Sequence, residues 1–248
     1  MEETNQIKSA LKTEGFAIIE SIYSNAEVAQ ILNLIGNTDK SNDTFRKSSD
    51  LFAIRQFLKE IPQIKHLIFN NKLQKIISNL FGNDFFVVKS IYFDKPAKSN
   101  WYVPYHQDLT ISVNKKIVGL ENYTSWTTKQ NQFAVQPPLQ ILENIFTVRI
   151  HLDETNEYNG ALKVIPKSHL RGICSASDFK EEEVVCNVKM GGIMIMKPLL
   201  LHSSGKTSNE KNRRVIHIEF SNQILDSALN WAERTEYNVP YFLDSRLK

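Results

Sequence analysis

Cysteine is scarce in this chain: Cys174 and Cys186 are its only two. They do not form a CxxC pair, so neither a disulfide framework nor a thiolate metal site is expected, and both read as free thiols in a reducing compartment. An excess of one charge is also missing. The formal net charge is +3, and the basic clusters are only pairs such as Lys115-Lys116 and Arg213-Arg214. That is too little for a polyanion-binding surface, so no nucleic-acid partner is expected. No apolar run reaches the length of a membrane span, which leaves no membrane association expected. The opening Met1-Glu2-Glu3-Thr4-Asn5-Gln6 lacks the basic and then apolar pattern of a signal peptide, so the expected compartment is the cytoplasm. With 42% hydrophobic and 23% charged residues, the composition is that of an ordinary globular protein and excludes extended disorder.

What is present changes in texture along 248 residues, a length that suits a single domain. Residues 1–83 are expected to be mainly helical support. Within them, 4–12 form an amphipathic segment, 15–20 a strand, and Ser24-Asn25-Ala26-Glu27 offers N-cap chemistry before an apolar run. From Asp50 to about Leu80, residues such as Leu51, Ile54, Phe57, Leu58, Ile61 and Ile64 recur at three- and four-residue steps. That spacing predicts helix, with breaks at Pro62 and Asn70-Asn71. After residue 83 the texture becomes short strands separated by turn residues, predicting a sandwich or barrel over 84–222. Candidate strands are 85–94, 102–108, 144–153, 161–166, 183–190, 193–197, 199–203 and 213–221. Gly191-Gly192 suits a tight hairpin. Residues 109–143 break the rhythm as a long insert, expected to act as a lid or binding loop, and 223–248 form a C-terminal tail.

The chemistry gathers at Tyr105-His106-Gln107-Asp108. On an extended strand an imidazole and a carboxylate two residues apart point to one face and can share an ion. A second imidazole, His202, lies where the apolar run Leu199-Leu200-Leu201 opens into Ser203-Ser204-Gly205. Two histidines and one carboxylate form the facial triad of non-haem iron(II) sites, which leaves positions open for a bidentate cosubstrate and dioxygen. Arg213 follows eleven residues after His202. If the chain turns back after residue 209, Arg213 lands on the strand beside His202, where its guanidinium fork can grip a distal carboxylate. Left to itself, the Arg213-Arg214 pair would read as a solvated strand start.

Taken together, Asp94-Lys95-Pro96, His106-Gln107-Asp108, the run Asn159 to His169, His202-Ser203-Ser204-Gly205 and Arg213 resemble the phytanoyl-CoA dioxygenase family of iron(II)/2-oxoglutarate oxygenases. The resemblance covers most of residues 85–221. It implies a double-stranded β-helix, a cupin-like jelly roll, buttressed by the N-terminal helices. It also implies that His106, Asp108 and His202 bind iron(II), that Arg213 binds the distal carboxylate of 2-oxoglutarate, and that Ser204 and Gln107 flank this cosubstrate. Dioxygen would be the second cosubstrate, ascorbate a supporting reductant, and succinate and carbon dioxide the co-products of hydroxylating a small-molecule or acyl-type substrate. Asp108 stands where related halogenating oxygenases carry Gly or Ala, so no halide is expected to take part.

Two departures from the family stand out. Pro166-Lys167-Ser168-His169 replaces the usual Pro-Gly-Ser-His, and Arg149 stands where the family often has Trp. Arg149 is expected to meet an anionic group of the cosubstrate or substrate, against the alternative of a structural ion pair with Glu154 or Glu219. His169 reads as a hydrogen-bonded turn residue, and His151 and His217 as core histidines that could face the cavity. Trp101, Tyr102, Tyr105, Tyr123 and Trp126 could line an apolar wall. Two rival readings are a zinc-dependent or cupin-like enzyme, against which Arg213 argues, and a catalytically silent 2-oxoglutarate- or metal-binding module on the same fold, which a broken triad would favour. Oligomeric state is not legible.

Overall fold

The computed structural model describes residues 2–39, 41–48, 52–129, 132–179, 182–226 and 228–238. Helix α1 (Glu2–Thr13) leads into strand β1 (Phe16–Ile19), as its spacing anticipates. Helix α2 (Asn25–Gly36) starts on the expected capping box. The Ser24 hydroxyl accepts from the Glu27 N–H at 3.2 Å, and Glu27 accepts from the Ser24 N–H at 2.8 Å. Short helices α3 (Phe57–Glu60) and α4 (Lys65–Ile68) flank Pro62, and Asn70 caps α5 (Asn71–Phe81) by accepting from the Leu73 N–H. Asn70 also donates to Glu27 at 2.9 Å, which ties the starts of two helices together.

The helical expectation fails at Phe52–Arg55. These residues form β3, pairing with β2 (Phe45–Lys47) on one side and β4 (Phe86–Lys95) on the other. An apolar three-to-four spacing is a weak constraint over four residues, and the edge of β4 carries backbone groups that must find partners. Leu51 lies outside the described residues.

Beyond the helices stand two facing sheets. The larger has the order β1, β12 (Ile193–Met196), β9 (Ile145–His151), β14 (Arg213–Ser221), β4, β3, β2. The smaller runs β11 (Val184–Cys186), β10 (Leu162–Val164), β13 (His202–Ser204), β5 (Val103–His106). All described pairings are antiparallel, and the result is the double-stranded β-helix with N-terminal helices. Alternation along β14 explains the layering. Ile216, Ile218 and Phe220 join the core shared with the helices, while Arg213, His217 and Glu219 take the other parity and face the barrel interior. Phe146 anchors the outer layer, its ring stacked on Phe81 at 3.6 Å and on Phe220 at 4.9 Å.

The insert 109–143, expected as a lid or binding loop, has regular structure of its own. It folds into a third sheet of β6 (Ile111–Val113), β8 (Gln132–Gln136) and β7 (Thr124–Lys129), followed by helix α6 (Leu139–Glu143). Ile111, Val113 and Val135 build a second apolar cluster with Trp231 and Leu225, and burying those side chains offsets the cost of ordering so long a segment. The described part of the C-terminal segment is thereby stitched to the body through bridges from Trp231 to Val113 and from Thr235 to Val87. At the expected hairpin, Gly191 has φ +79°, and a Cβ there would clash with the Tyr23 carbonyl oxygen. Only glycine fits. Among the described residues no helix is long and apolar enough to cross a membrane.

Candidate active site

Strand pairing sets the two imidazoles face to face. His202 of β13 and His106 of β5 are register partners, and their rings lie 4.2 Å apart. Asp108 lies two residues past the end of β5, held by a backbone N–H bond to the Pro198 carbonyl at 2.9 Å. This puts its carboxylate 3.9 Å from His106 Nε2 and 3.8 Å from His202 Nε2. One ligand atom from each of the three residues lies within 4.8 Å of the others.

The donor set fits a divalent metal. Nδ1 of His106 lies 2.9 Å from the Pro104 carbonyl, and Nδ1 of His202 lies 2.9 Å from the Leu200 carbonyl. A carbonyl can only accept, so each Nδ1 carries the proton and each Nε2 lone pair is left toward Asp108. Burial pushes the His202 pKa down to about 4, so its ring is neutral at physiological pH. Asp108 Oδ2 is buried with no hydrogen-bond partner among the described residues. Burial alone would raise the Asp108 pKa, but the surrounding His202, His217, Lys89 and His106 outweigh it and hold the carboxyl below its ordinary value, so it is ionised. A buried, unpartnered carboxylate oxygen beside two lone pairs is what a cation would complete.

The cavity over this cluster measures about 230 Å³, and Arg149, Arg213, Ser204 and Trp101 help line it. Arg213 is 4% exposed, and its Nε finds no partner among the described residues. It is not beside His202, as the turn-back reading expected. Residues 205–212 cross from the small sheet to the large one, fastened by Thr207 N–H to the Ser99 carbonyl and Asn212 Oδ1 to the Ala97 N–H. Arg213 therefore opens β14 between β4 and β9 and looks at the triad across the barrel. Burial, and then Arg149 nearby, lower its pKa to about 9, still cationic at neutral pH. Arg214 points away into a two-toothed pair with Asp153, at 2.8 and 2.6 Å.

Arg149 is 7% exposed and reaches neither Glu154 nor Glu219 as a salt-bridge partner. Its Nη1 lies 3.2 Å from His217 Nδ1, and its Nε has no partner among the described residues. Burial depresses its pKa to about 10, so it too stays charged. His217 passes the contact on to Glu219 at 3.0 Å, and Glu219 to Lys89 at 2.8 Å. Sequence reasoning missed Lys89 and named Glu219 only as an ion-pair alternative for Arg149. The available signal was a charged residue beside apolar neighbours in each of two strands, Lys89 after Val87-Val88 and Glu219 between Ile218 and Phe220. His151 is a core histidine with Nδ1 at Thr155, and burial drives its pKa well below the usual value.

Ser204 lines the cavity, and its hydroxyl donates to the Gly160 carbonyl at 3.1 Å. Gln107 does not join it, which corrects the expectation that it flanks the cosubstrate. With His106 and Asp108 turned inward, the residue between them faces out. Its amide donates to the Leu199 and Gly172 carbonyls and accepts from the Cys174 N–H. Of the five aromatics, Trp101 reaches the cavity. Tyr123 and Trp126 belong to the second core, Tyr102 is exposed, and Tyr105 bonds Glu183. His169 sits at its turn, Nε2 against the Lys12 carbonyl.

A double-stranded β-helix whose interior holds two histidines and a carboxylate under buried arginines defines an oxygenase of the non-haem class. Residues 11–215 match the family model of phytanoyl-CoA dioxygenase, and the chain belongs to that family. A Caenorhabditis briggsae protein described as a phytanoyl-CoA dioxygenase domain-containing protein 1 homolog is 21% identical, covering 95% of this chain and 98% of its own. Among solved structures, EctD from S. alaskensis with 2-oxoglutarate and 5-hydroxyectoine superposes with a TM-score of 0.66 at 19% identity, over 87% of this chain and 75% of that one. The epimerase SnoN in complex with Fe3+, alpha ketoglutarate and nogalamycin RO gives 0.65 at 12% identity, over 96% and 88%. At these identities the structural likeness speaks for the fold.

Proposed function

We propose that the protein is an iron(II)- and 2-oxoglutarate-dependent oxygenase that hydroxylates a C–H bond of a small-molecule or acyl-type substrate and releases succinate and carbon dioxide. The carrying observation is the triad of His106, Asp108 and His202, with both Nδ1 atoms committed to backbone carbonyls and a buried arginine, Arg213, facing it across the cavity. Iron(II) bound there would supply the redox chemistry that activates dioxygen, with ascorbate keeping the metal reduced.

The chain's own residues do the rest. Arg213 offers two parallel N–H donors to the distal carboxylate of 2-oxoglutarate, and that anion offsets the cost of holding a guanidinium in the interior. Ser204 can turn its hydroxyl to the same group, and Arg149 adds a second positive charge beside it. Phe93, Trp101 and Leu162 narrow the cavity and keep water from the reacting centre. Asp108 fills the ligand position that a halide would otherwise need.

Succinate release from purified protein with iron(II), ascorbate, 2-oxoglutarate and dioxygen tests the reading. We expect turnover that requires iron and is lost in His202→Ala. Equal turnover with zinc, or full turnover in His202→Ala, would overturn it.

A further inference from the structure

The interior face of β14 has two ends. Arg213 opens the strand, and Glu219 lies six residues, roughly 20 Å, along it. Carboxylate and imidazole atoms of Asp108, His217 and Glu219 lie within 4.8 Å of one another, so Asp108 of the metal triad stands over the His217–Glu219 half of the strand. A cosubstrate reaching from the triad to Arg213 takes up the barrel in that direction. The space left lies the other way, past Lys89.

A cavity of about 240 Å³ is there, lined among others by Arg55, Lys89, Ile91, Thr110, Gln132 and Glu233. It shares Lys89 and Ile91 with the metal cavity, and both residues take the inward parity of β4. Thr110 follows Asp108 by two residues, so the same stretch of chain supplies a metal ligand and then a wall of this chamber. The folded insert adds Gln132, Phe133 and Ala134 to the lining.

Its chemistry is selective. Arg55 and Lys89 bring two cations, Lys89 shared with the metal cavity and ion-paired with Glu219 at 2.8 Å. Glu233 is the one carboxylate of the lining among the described residues, and it is turned to Ser90, accepting from that residue's N–H at 3.0 Å and hydroxyl at 2.5 Å. Burial raises its pKa to about 7, which removes part of its charge near neutrality. The Gln132 Nε2 donor is buried with no partner among the described residues, and an unmade bond of that kind is costly unless a ligand makes it. The adjoining metal cavity carries the same sign. Lys89, Arg149 and Arg213 exceed Asp108 and Glu219 by one positive charge, and a divalent metal with a dianionic cosubstrate leaves that excess unchanged.

We propose that this second cavity is the primary-substrate site and that the substrate is a compact carboxylate, its anionic end held by Arg55 and the Gln132 amide, its reacting carbon extending past Lys89 and Ile91 to the metal. The inference rests on the oxygenase reading of the metal centre. A cationic substrate would meet unfavourable charge along the whole path.

Calorimetric titration of the full chain, saturated with zinc and 2-oxoglutarate, with benzoate, benzamide and benzylamine tests this, since the three probes share a ring and differ in charge. We expect benzoate to bind at least about tenfold more tightly than the other two, a margin suited to one charge-assisted hydrogen bond. Arg55→Gln and Gln132→Leu should each weaken benzoate about tenfold, and Ala134→Trp, which fills the chamber, should abolish its binding. Arg214→Ala, at a residue that pairs with Asp153 and lines neither cavity, should leave benzoate affinity unchanged. Equal binding of the three probes, tighter binding of benzylamine, no binding of any, or benzoate lost in Arg213→Ala but kept in Arg55→Gln would each overturn the proposal. Loss of 2-oxoglutarate binding with benzoate selectivity retained would instead remove the cosubstrate assignment and leave this cavity as an anion site.

Discussion

His106 and His202 are direct partners across the β5–β13 ladder, so one backbone register decides whether a metal centre exists. A one-residue slip would turn one imidazole to the opposite face. His202→Ala keeps the register and removes a ligand. Metal affinity should fall by more than the roughly 10- to 100-fold typical of losing an outer-shell partner. Titration with iron(II) under anaerobic conditions should give one ion per parent chain and no stoichiometric binding in the variant.

Arg213 and Arg214 differ by one residue and should differ in kind. Arg213→Ala is expected to weaken 2-oxoglutarate binding roughly 10- to 100-fold, the loss of a charge-assisted pair of about 1.5–3 kcal/mol, without changing metal stoichiometry. Arg214→Ala breaks a partly exposed pair with Asp153 and should cost about 1 kcal/mol of stability or less, with cosubstrate affinity intact. The reverse pattern in calorimetry would move the assignment to Arg214.

Glu233 couples the second cavity to pH. Burial lifts its pKa from 4.5 to about 7, so the folded chain holds a proton that the unfolded chain has released. Between those two values stability should therefore fall as pH rises, by about 3 kcal/mol in all and with little further change from this group above pH 7. Urea unfolding of Glu233→Gln at pH 5 and pH 8 should show a smaller difference than the parent. An unchanged difference would mean that Glu233 is ionised throughout.

Chloride should be dispensable. With Asp108 filling the third protein position, turnover in chloride-free buffer should equal that in chloride, and mass spectrometry should find products that gain oxygen or lose two hydrogens, never chlorine. Asp108→Gly should lose most activity, since the site gives up a ligand and a negative charge.

Phe146 tests the fold apart from the site. Phe146→Ala should cost about 3–5 kcal/mol, because Phe81 and Phe220 stack on either side and cannot both close the gap. Thermal unfolding of the metal-free protein measures it.

By itself the sequence determined whatever depends on neighbours in the chain. His106 and Asp108 share a face because they are two residues apart, and Gln107 turns outward for the same reason, a consequence of alternation that the family resemblance had obscured. Ser24 with Glu27, Asn70 and Gly191 marked their caps and turn through local hydrogen bonding and steric freedom. The resemblance supplied the double-stranded β-helix and the pairing of His106 with His202. Tertiary structure alone decided which sheet each strand joins. It carried Arg213 across the barrel instead of beside His202, made Phe52–Arg55 a strand to complete the edge of β4, and folded residues 111–136 into a sheet. It also assembled Arg149, His217, Glu219 and Lys89 into one buried chain of contacts. Those outcomes rest on pairing and burial between segments far apart in sequence, where a three-residue spacing or an isolated charge carries no record of its partner.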